Sequence, residues 1–292
     1  MNVVVIQVPY MLGDERHPAA RGASALVDAG LVTRLEAVGA SVDVATVERG
    51  SSYADTATAS RAVNRNLATH VGRAATAAHL PVVLAGSCDS AVGVVAGLND
   101  PECGLIWLDA HGDFNTPETT LSGFFAGMSL AIVTGDCYRN WWSQITEATP
   151  ISQESTLLIG VRDLDPAERE RLAGSRIATV AWRDGRATSS VAATLNGFAG
   201  RVRTVYVHFD LDVLDPSVAP GIVDEPVPGG LTLSDIDDVM DHIARSFEVR
   251  ALTVATYNPE RDPGGGTGDA VVQIVERFAK RRAEVPSPSG RS

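Results

Sequence analysis

The sequence predicts an α/β fold in which a mostly parallel sheet lies between two layers of helices, a three-layer αβα sandwich. Two observations predict it. Short runs rich in Val, Ile and Leu, without polar alternation, are typical of parallel strands that are buried on both faces. Segments with helical periodicity lie between these runs, and alternating strands and helices build such a sandwich.

The runs and the helical segments follow one another along the chain, and each run ends where polar residues begin. The predicted strands are 3–8, 40–44, 82–85, 104–108, 156–159, 177–180, 204–209 and 251–255. The predicted helices are 23–38, 58–79, 89–98, 126–134, 166–173, 187–199, 234–246 and 267–284. Without an internal repeat or linker, we expect one domain over residues 1–284 and a disordered tail over 285–292, which is rich in Pro and Ser.

The composition is that of a globular protein. Of the 292 residues, 45% are hydrophobic and 21% are charged, and a chain of this length buries a full core. The net charge of −12 disfavours nonspecific binding to nucleic acid. We therefore expect a small-molecule partner rather than a nucleic acid.

The cysteines and the apolar runs indicate the compartment. Three cysteines, Cys88, Cys103 and Cys137, do not suggest a disulfide framework, and a reducing compartment fits them best. Residues 1–8 lack the features of a signal peptide, and no run of about 18 apolar residues predicts a membrane span. We expect a cytoplasmic protein without a membrane partner.

Asp109, His111 and Asp113 follow the predicted strand 104–108 at alternate positions. Alternate side chains of an extended chain point the same way. Ligands of parallel α/β sheets bind beyond the carboxyl ends of the strands. We therefore expect these three side chains to converge on one spot.

Asp210 and Asp212 repeat this pattern after the strand 204–209. Ionised carboxylates packed together repel one another, and a bound cation removes the repulsion. Carboxylate and imidazole ligands suit Mn²⁺, Fe²⁺, Co²⁺ or Zn²⁺, and a pair of such ions can activate a water. One Asp-x-Asp pair alone is more typical of helix capping or of a solvated rim. Two such clusters at strand ends favour a dinuclear metal site.

The two clusters resemble the signature motifs of the arginase/agmatinase (ureohydrolase) superfamily. The matching stretches are Asp109-Ala110-His111-Gly112-Asp113 with Asn115, and Asp210-Leu211-Asp212 with Asp215-Pro216 and Ala219-Pro220-Gly221. The likeness runs in order from about residue 84 to residue 259. It implies an eight-stranded parallel sheet, two Mn²⁺ ions and a homo-oligomer, either a trimer or a hexamer. Carried over, Asp109 and Asp210 would bridge the ions, Asp113 would bind one ion, and His111 and Asp212 would bind the other.

Two further stretches resemble arginase segments that hold an α-amino acid. The loop after the first motif implies contacts with the α-carboxylate from Asn115, Thr120 and Ser122, because hydroxyl and amide donors suit a carboxylate. The segment 162–168 implies contacts with the α-amino group from Asp165 and Glu168. The alternative for these stretches is turn chemistry and helix capping. The first interpretation favours an α-amino acid over agmatine, which lacks the carboxylate.

Three positions depart from the family pattern. Cys88 stands where the family has a metal-binding His; it is either a softer thiolate ligand or a plain buried cysteine. Ala126 stands where arginases carry a proton-shuttle His, and alanine transfers no proton. Thr256 stands where a Glu pairs with the guanidinium; we expect Thr256 to contact the substrate there, but without that charge pair. The acids that could replace the Glu in space are Asp224, Glu225 and Glu260.

The Nω-hydroxy-arginine hydrolases of antibiotic pathways form a branch of the superfamily that is similar at Cys88 and Ala126. N-hydroxylation lowers the basicity of a guanidine and improves the leaving group, so the missing groups matter less. His208, two residues before Asp210, could orient a metal ligand, act as a base, or simply pack in the core.

The sequence thus predicts a dinuclear manganese hydrolase that cleaves a C–N bond of a guanidine-type group on an α-amino acid, with Asp113 or a water supplying the proton to the amine. The alternatives are a hydrolase of a formimino or other amidine substrate and a catalytically inactive, metal-binding member of the superfamily.

Overall fold

The computed structural model describes residues 1–50, 55–222 and 226–284. An eight-stranded sheet, in which all neighbouring strands are parallel, forms its centre. Its strands are β1 (Asn2–Val8), β2 (Ser41–Thr46), β3 (Leu80–Ala85), β4 (Gly104–Leu108), β5 (Thr156–Ile159), β6 (Ala178–Val180), β9 (Thr204–Asp210) and β10 (Glu248–Ala255). Between β6 and β9, β7 (Trp182–Arg183) and β8 (Arg186–Ala187) form a separate antiparallel pair.

Helices cover both faces of the sheet, which confirms the predicted sandwich. The helices are α1 (Gly22–Asp28), α2 (Leu31–Ala37), α3 (Thr56–Thr76), α4 (Ser90–Leu98), α5 (Ser129–Val133), α6 (Arg139–Trp142), α7 (Pro166–Ala173), α8 (Val191–Ala199), α9 (Leu233–Ser246) and α10 (Gly266–Glu284). The helices α1, α2, α8, α9 and α10 pack over one apolar core, which includes Leu35 and Phe278. The helices α3, α4 and α5 pack over a second core, which includes Leu67 and Val92.

Two predicted helices differ from the structure. The segment 23–38 is divided into α1 and α2 because Gly30 adopts a φ of +93°, a left-handed conformation that glycine tolerates. The segment 126–134 begins as a 3-10 turn, Ala126–Met128, before α5. The prediction also lacks α6 and the β7–β8 pair, because elements of four and two residues carry too little periodicity to detect.

The strand order decides which loops meet at the carboxyl edge of the sheet. The strands β3, β10, β9 and β4 are neighbours in its middle, although β4 and β9 lie far apart in the chain. Because these strands are parallel, the segments that follow them start at the same edge. The last residues of the four strands are Ala85, Ala255, Asp210 and Leu108.

Candidate metal centre

Asp109, His111 and Asp212 form one part of a polar cluster at this edge. His111 Nδ1 lies 3.4 Å from Asp109 Oδ1 and 2.9 Å from Asp212 Oδ2. Both aspartates are almost completely buried, whereas about a third of the His111 side chain is exposed. One potential ligand atom from each of the three residues lies within 4.8 Å of the others, so they can share an ion.

Cys88 lies close to Asp210 and Asp113, the remaining two aspartates of the cluster. It lies in the loop after β3, and its Sγ donates a hydrogen bond to Asp210 Oδ2 at 2.7 Å. Cys88 Sγ and carboxylate oxygens of Asp109 and Asp113 also lie within 4.8 Å of one another. The structure therefore brings together all six residues that the sequence assigned to metal binding.

Hydrogen bonds fix the orientation of the two aspartates that the resemblance assigns as bridging ligands. Asp109 accepts a hydrogen bond from Trp107 Nε1 at 2.9 Å, and Asp210 accepts one from the Thr256 hydroxyl at 2.7 Å. Each also accepts a bond from the backbone N–H two residues later, at 2.7 Å for Asp109 and 2.9 Å for Asp210. These donors hold the carboxylates in place, because two of them are backbone N–H groups and the other two belong to buried side chains.

Two residues of the cluster adopt left-handed backbone conformations. Asp113 has a φ of +46° and Thr256 a φ of +63°, which non-glycine residues rarely adopt and which cost about 1–3 kcal/mol each. The backbone around them is held firmly, since the Asp113 carbonyl accepts bonds from Leu130 and Ala131, and Thr256 donates to the Ala85 carbonyl. Such strain is typical of functional sites.

Arg162 holds the turn that carries Asp212. Its guanidinium donates to the carbonyls of Asp212 at 2.7 Å, Val213 at 3.1 Å and Leu214 at 3.2 Å. It also donates to the Val227 carbonyl at 2.8 Å, which ties a second segment to the same turn. Arg162 therefore fixes the turn 212–214 to the segment that contains Val227.

We expect Arg162→Met to reduce the free energy of unfolding by roughly 3 kcal/mol, because the buried carbonyls that lose their donor cost about 1–3 kcal/mol each. Urea unfolding followed by circular dichroism measures this loss. Arg169→Met is the matched control, since Arg169 is exposed and its guanidinium makes a single, long bond within the described residues, to the Leu164 carbonyl. Equal stability of the two variants would contradict the role assigned to Arg162.

Burial dominates the electrostatics of the cluster. It raises the pKa of Asp109 to about 7, with a contribution from the negative charge of Asp212, and raises the pKa values of Asp113 and Asp210 well above their usual range. Burial also opposes the charged forms of His111 and Asp212, but their mutual attraction outweighs it. The pKa of His111 is therefore raised and that of Asp212 lowered.

These directions predict how the stability of the chelator-treated protein varies with pH. Between pH 3.8 and about 7 the folded state holds a proton on Asp109 that the unfolded state has released, so stability falls as pH rises through this window. A loss of about 2–3 kcal/mol corresponds to a decrease in Tm of roughly 5 °C between pH 5 and pH 8. Differential scanning calorimetry measures it. Asp109→Asn should flatten the profile, and a Tm that rises from pH 5 to pH 8 would contradict the assignment.

The cluster fits divalent transition-metal ions. Crowded carboxylates must hold protons unless another positive charge compensates them, and a divalent cation supplies that charge. Asp113 Oδ2 is buried and has no hydrogen-bond partner in the described part of the chain, so it is available either to a cation or to a proton. Carboxylate, imidazole and thiolate donors together match the preferences of Mn²⁺, Fe²⁺, Co²⁺ and Zn²⁺.

A cavity of about 900 Å³ opens over the cluster. Cys88 and the five acid and imidazole residues line it, and so do four residues assigned to substrate recognition together with Thr256. These four are Asn115, Ser122, Asp165 and Glu168. Thr120 is not among the lining residues, and its hydroxyl accepts a bond from the Gly123 backbone N–H at 3.0 Å.

The recognition residues also support one another. Asn115 Nδ2 donates to Asp165 Oδ2 at 3.1 Å. Glu168 accepts bonds from the backbone N–H groups of Phe114 at 2.8 Å and Asp165 at 3.3 Å, and together with Asp165 it forms a capping box at the start of α7. The capping alternative raised by the sequence is therefore present, and the same side chains line the cavity.

The sequence does not indicate several of the residues that line the cavity. His17, Met11 and Leu12 line the wall, although they lie almost 100 residues before the first motif. Phe124 lines it as well and is half exposed. No local pattern links these residues to the metal motifs, because they approach through the tertiary fold. Trp107 is different, since its position two residues before Asp109 on the same strand could have indicated a contact.

Comparison with known proteins agrees with this geometry. The sequence matches the arginase family over residues 1–280. The chain belongs to the arginase family. It is 33% identical to the arginase of Bacillus caldovelox over 289 residues, which cover 94% of this chain and 96% of that relative. It is 30% identical to the arginase of Bacillus subtilis strain 168, over 96% of this chain and 98% of the relative. The crystal structure of arginase from Bacillus cereus superimposes with a TM-score of 0.87 at 28% identity, over 95% of this chain and 98% of that one.

The positions that depart from the arginase-family pattern have clear locations in this chain. Ala126 is buried and lines the cavity. Thr256 contacts Asp210, as described above. Glu260, one of the possible replacements for the missing Glu, forms an ion pair with Arg21 and does not line the cavity. Asp224 and Glu225, the other two, lie outside the described residues, as does the predicted disordered tail, 285–292.

Two further expectations concern the whole chain. All three cysteines are free and buried, so the expectation of no disulfide framework is confirmed. None of the helices in the described ranges is long and apolar enough to cross a bilayer.

Proposed function

We propose that this chain is a dinuclear manganese hydrolase that cleaves a C–N bond of a guanidine-type group on an α-amino acid and releases urea or a urea derivative. The observation that carries the proposal is the buried cluster of four aspartates, His111 and Cys88 that lines a cavity whose walls bear further acids. Membership of the arginase family supports the bond type. Fe²⁺, Co²⁺ or Zn²⁺ would also suit the donor set.

The ion-binding residues divide into two groups joined by two shared aspartates. His111 and Asp212 would hold one ion, Cys88 and Asp113 would hold the other, and Asp109 and Asp210 would contact both. Such a pair of ions, when bound, lowers the pKa of water and so supplies a nucleophile at neutral pH. The fixed donors around Asp109 and Asp210 keep the two groups in register.

Asp113 is the residue best suited to move a proton. Its Oδ2 lacks a hydrogen-bond partner within the described ranges, and the residue lines the cavity. As the attacking water forms a bond to the guanidine carbon, its proton passes to Asp113 Oδ2. The C–N bond then breaks, and the leaving amine nitrogen takes that proton. His208 is fully buried and not among the lining residues, so its part in the reaction would be indirect.

The cavity wall suits an α-amino acid. Asp165 and Glu168 offer carboxylate oxygens to an ammonium group, while Asn115 and Ser122 offer N–H and O–H donors to a carboxylate. Thr120 would act indirectly, because its hydroxyl accepts a hydrogen bond from the Gly123 backbone N–H and so stabilises the loop that carries Ser122. Each charged end of the substrate would therefore meet its complement.

The departures from the arginase pattern favour an N-hydroxylated guanidine such as Nω-hydroxy-arginine. The hydroxyl of Thr256 donates to Asp210, so this residue offers no charge to a guanidinium. Ala126 cannot carry a proton to the leaving amine. A hydroxyguanidine is less basic and needs both groups less. The same observation on Thr256 favours, as a second candidate, hydrolysis of a formimino or other amidine group.

A mass-spectrometric screen of guanidino, N-hydroxyguanidino and formimino amino acids with the Mn²⁺-loaded protein tests these proposals. We expect hydroxyurea or urea, with the N-hydroxyguanidino compound turned over fastest. Release of formamide or ammonia from formimino compounds alone would support the second candidate. A protein that retains its metal and turns over none of these compounds would instead be a catalytically inactive member of the family.

Cys88→His tests the part played by the thiolate. An imidazole is a harder ligand than a thiolate. We therefore expect the affinity for Mn²⁺, relative to the affinities for Zn²⁺ and Co²⁺, to be higher in the variant than in the unaltered protein. Competition between the metals, followed by elemental analysis, measures the preference. Cys137→Ser is the matched control, because Cys137 is buried outside the cavity. Identical metal preferences in all three proteins would contradict the assignment of Cys88 as a ligand.

We also propose that the chain forms a trimer or a hexamer and acts in a reducing, cytoplasmic compartment. Light scattering coupled to size-exclusion chromatography measures the first. A monomeric mass over the working concentration range would contradict it.

A further inference from the structure

His208 carries a buried ring nitrogen that the proposed mechanism leaves unexplained. The residue lies in the middle of β9, is completely buried and stacks on Trp107 with ring centroids 3.7 Å apart. Its Nε2 has no hydrogen-bond partner in the part of the chain that the structure describes. Buried polar atoms are normally paired, and an orphan calls for a partner.

The hydrogen bonds of Tyr206 define which ring nitrogen carries the proton. The Tyr206 hydroxyl donates its single proton to Thr253 Oγ1 at 2.8 Å. It also lies 2.9 Å from His208 Nδ1, and with its proton already used, it accepts a bond from Nδ1–H. This direction of the Tyr206–Thr253 hydrogen bond favours the tautomer of His208 in which Nδ1 carries the ring proton and Nε2 bears a lone pair.

Among the residues that the structure describes, none donates a hydrogen bond to this nitrogen. A His208 ring nitrogen, Cys88 Sγ and a carboxylate oxygen of Asp210 lie within 4.8 Å of one another. The Cys88 thiol already donates to Asp210 Oδ2, and the carboxylate offers no proton when ionised. The nitrogen therefore lies unpaired beside a thiol and a carboxyl group that are bonded to each other, and a cation that displaces the thiol proton would join all three.

We infer that His208 Nε2 is a direct ligand of the ion held by Cys88 and Asp210. Metal–ligand bonds of about 2.0–2.3 Å allow two donors of one ion to be up to about 4.6 Å apart. The donor atoms of Cys88, His208 and Asp210 lie within 4.8 Å of one another, so they would need to approach only slightly to share an ion. The ion on this side would then have a sulfur, a nitrogen and carboxylate oxygens as ligands, with the Tyr206–Thr253 pair fixing the ring from behind. The inference rests on the proposed function, because it presupposes the metal centre.

Anomalous diffraction from crystals of the Mn²⁺-equilibrated, full-length protein tests it directly. We expect a metal peak about 2.0–2.3 Å from His208 Nε2, within bonding distance of Cys88 Sγ as well. Peaks at the cluster that all lie more than about 3 Å from Nε2 would overturn this inference alone and leave the proposed function intact. The absence of any metal peak would overturn both.

X-ray absorption of the Co²⁺-loaded protein gives an independent reading through the number of coordinated imidazoles. We expect two imidazoles per pair of ions in the unaltered protein and one in His208→Phe, which keeps the stacking on Trp107. His242→Phe is the control, since His242 is bonded to Asn196 outside the cluster. In Tyr206→Phe, which removes only the support behind the ring, the count should stay at two. One imidazole in the unaltered protein, or an unchanged count in His208→Phe, would overturn the inference.

Discussion

Asp210→Asn is expected to abolish the binding of both ions and, with it, hydrolysis. Asp210 is bonded to Cys88 and Thr256, and in the proposed centre both ions would share it, so the substitution would remove one negative charge from the surroundings of each ion. Loss of a partner that only orients a ligand costs 10–100-fold in metal affinity, and the loss of a shared ligand should cost more than about 100-fold. Isothermal titration with Mn²⁺, paired with an assay of urea or hydroxyurea release, measures both effects.

The exposed Asp238 of α9 provides the matched control for this charge change. Asp238→Asn should bind two ions and retain full activity. If Asp210→Asn bound metal as tightly as Asp238→Asn does, Asp210 would not be a ligand.

Asp113→Asn is expected to reduce kcat by about 10²–10⁴-fold, the range for loss of a positioned proton carrier. The amide has the same shape, so the strained backbone at this position should persist, while the carboxylate that would take the proton from water is lost. Steady-state kinetics at a fixed pH, with the variant and the unaltered protein loaded with the same metal, measures the effect. The residue is also a proposed metal ligand, so metal content must be determined in parallel.

Asp163→Asn is the control for Asp113→Asn. It separates the two proposed roles of Asp113, proton transfer and metal binding, from the effect of a general change of charge in the cavity. Asp163 lines the same cavity but does not belong to the metal cluster. We expect its kcat to change less than about tenfold, within the effect of one removed surface charge. Equal losses in the two variants would mean that Asp113 acts only through the cavity's overall charge.

Much of the fold and of the metal cluster could be predicted because the signals are local. The apolar runs 104–108 and 204–209 end where the two aspartate motifs begin, and alternation along an extended chain brings Asp109 and His111 to one side. A parallel sheet places the carboxyl ends of β4 and β9 at one edge, and the observed pairing of the two strands makes the motifs neighbours there. Strand position and ligand identity are therefore encoded in a few consecutive residues.

The rest depends on contacts between distant segments. Nothing near His17 indicates that its loop reaches the cavity wall, and nothing near Arg162 indicates that it binds the turn after β9. The break between α1 and α2 depends on the backbone conformation of Gly30, which a helical periodicity does not reveal. The bond from the Thr256 hydroxyl to Asp210 joins segments that follow two neighbouring strands, and no local pattern in the sequence reveals it.

The most direct test of the central claim is the metal content of the purified protein after equilibration with Mn²⁺ and removal of free ions. The account predicts two ions per chain, lost together with hydrolytic activity on treatment with a chelator and restored together on adding metal back. A folded protein that holds no transition-metal ion at this cluster, yet hydrolyses a guanidine-type substrate at an undiminished rate, would contradict it.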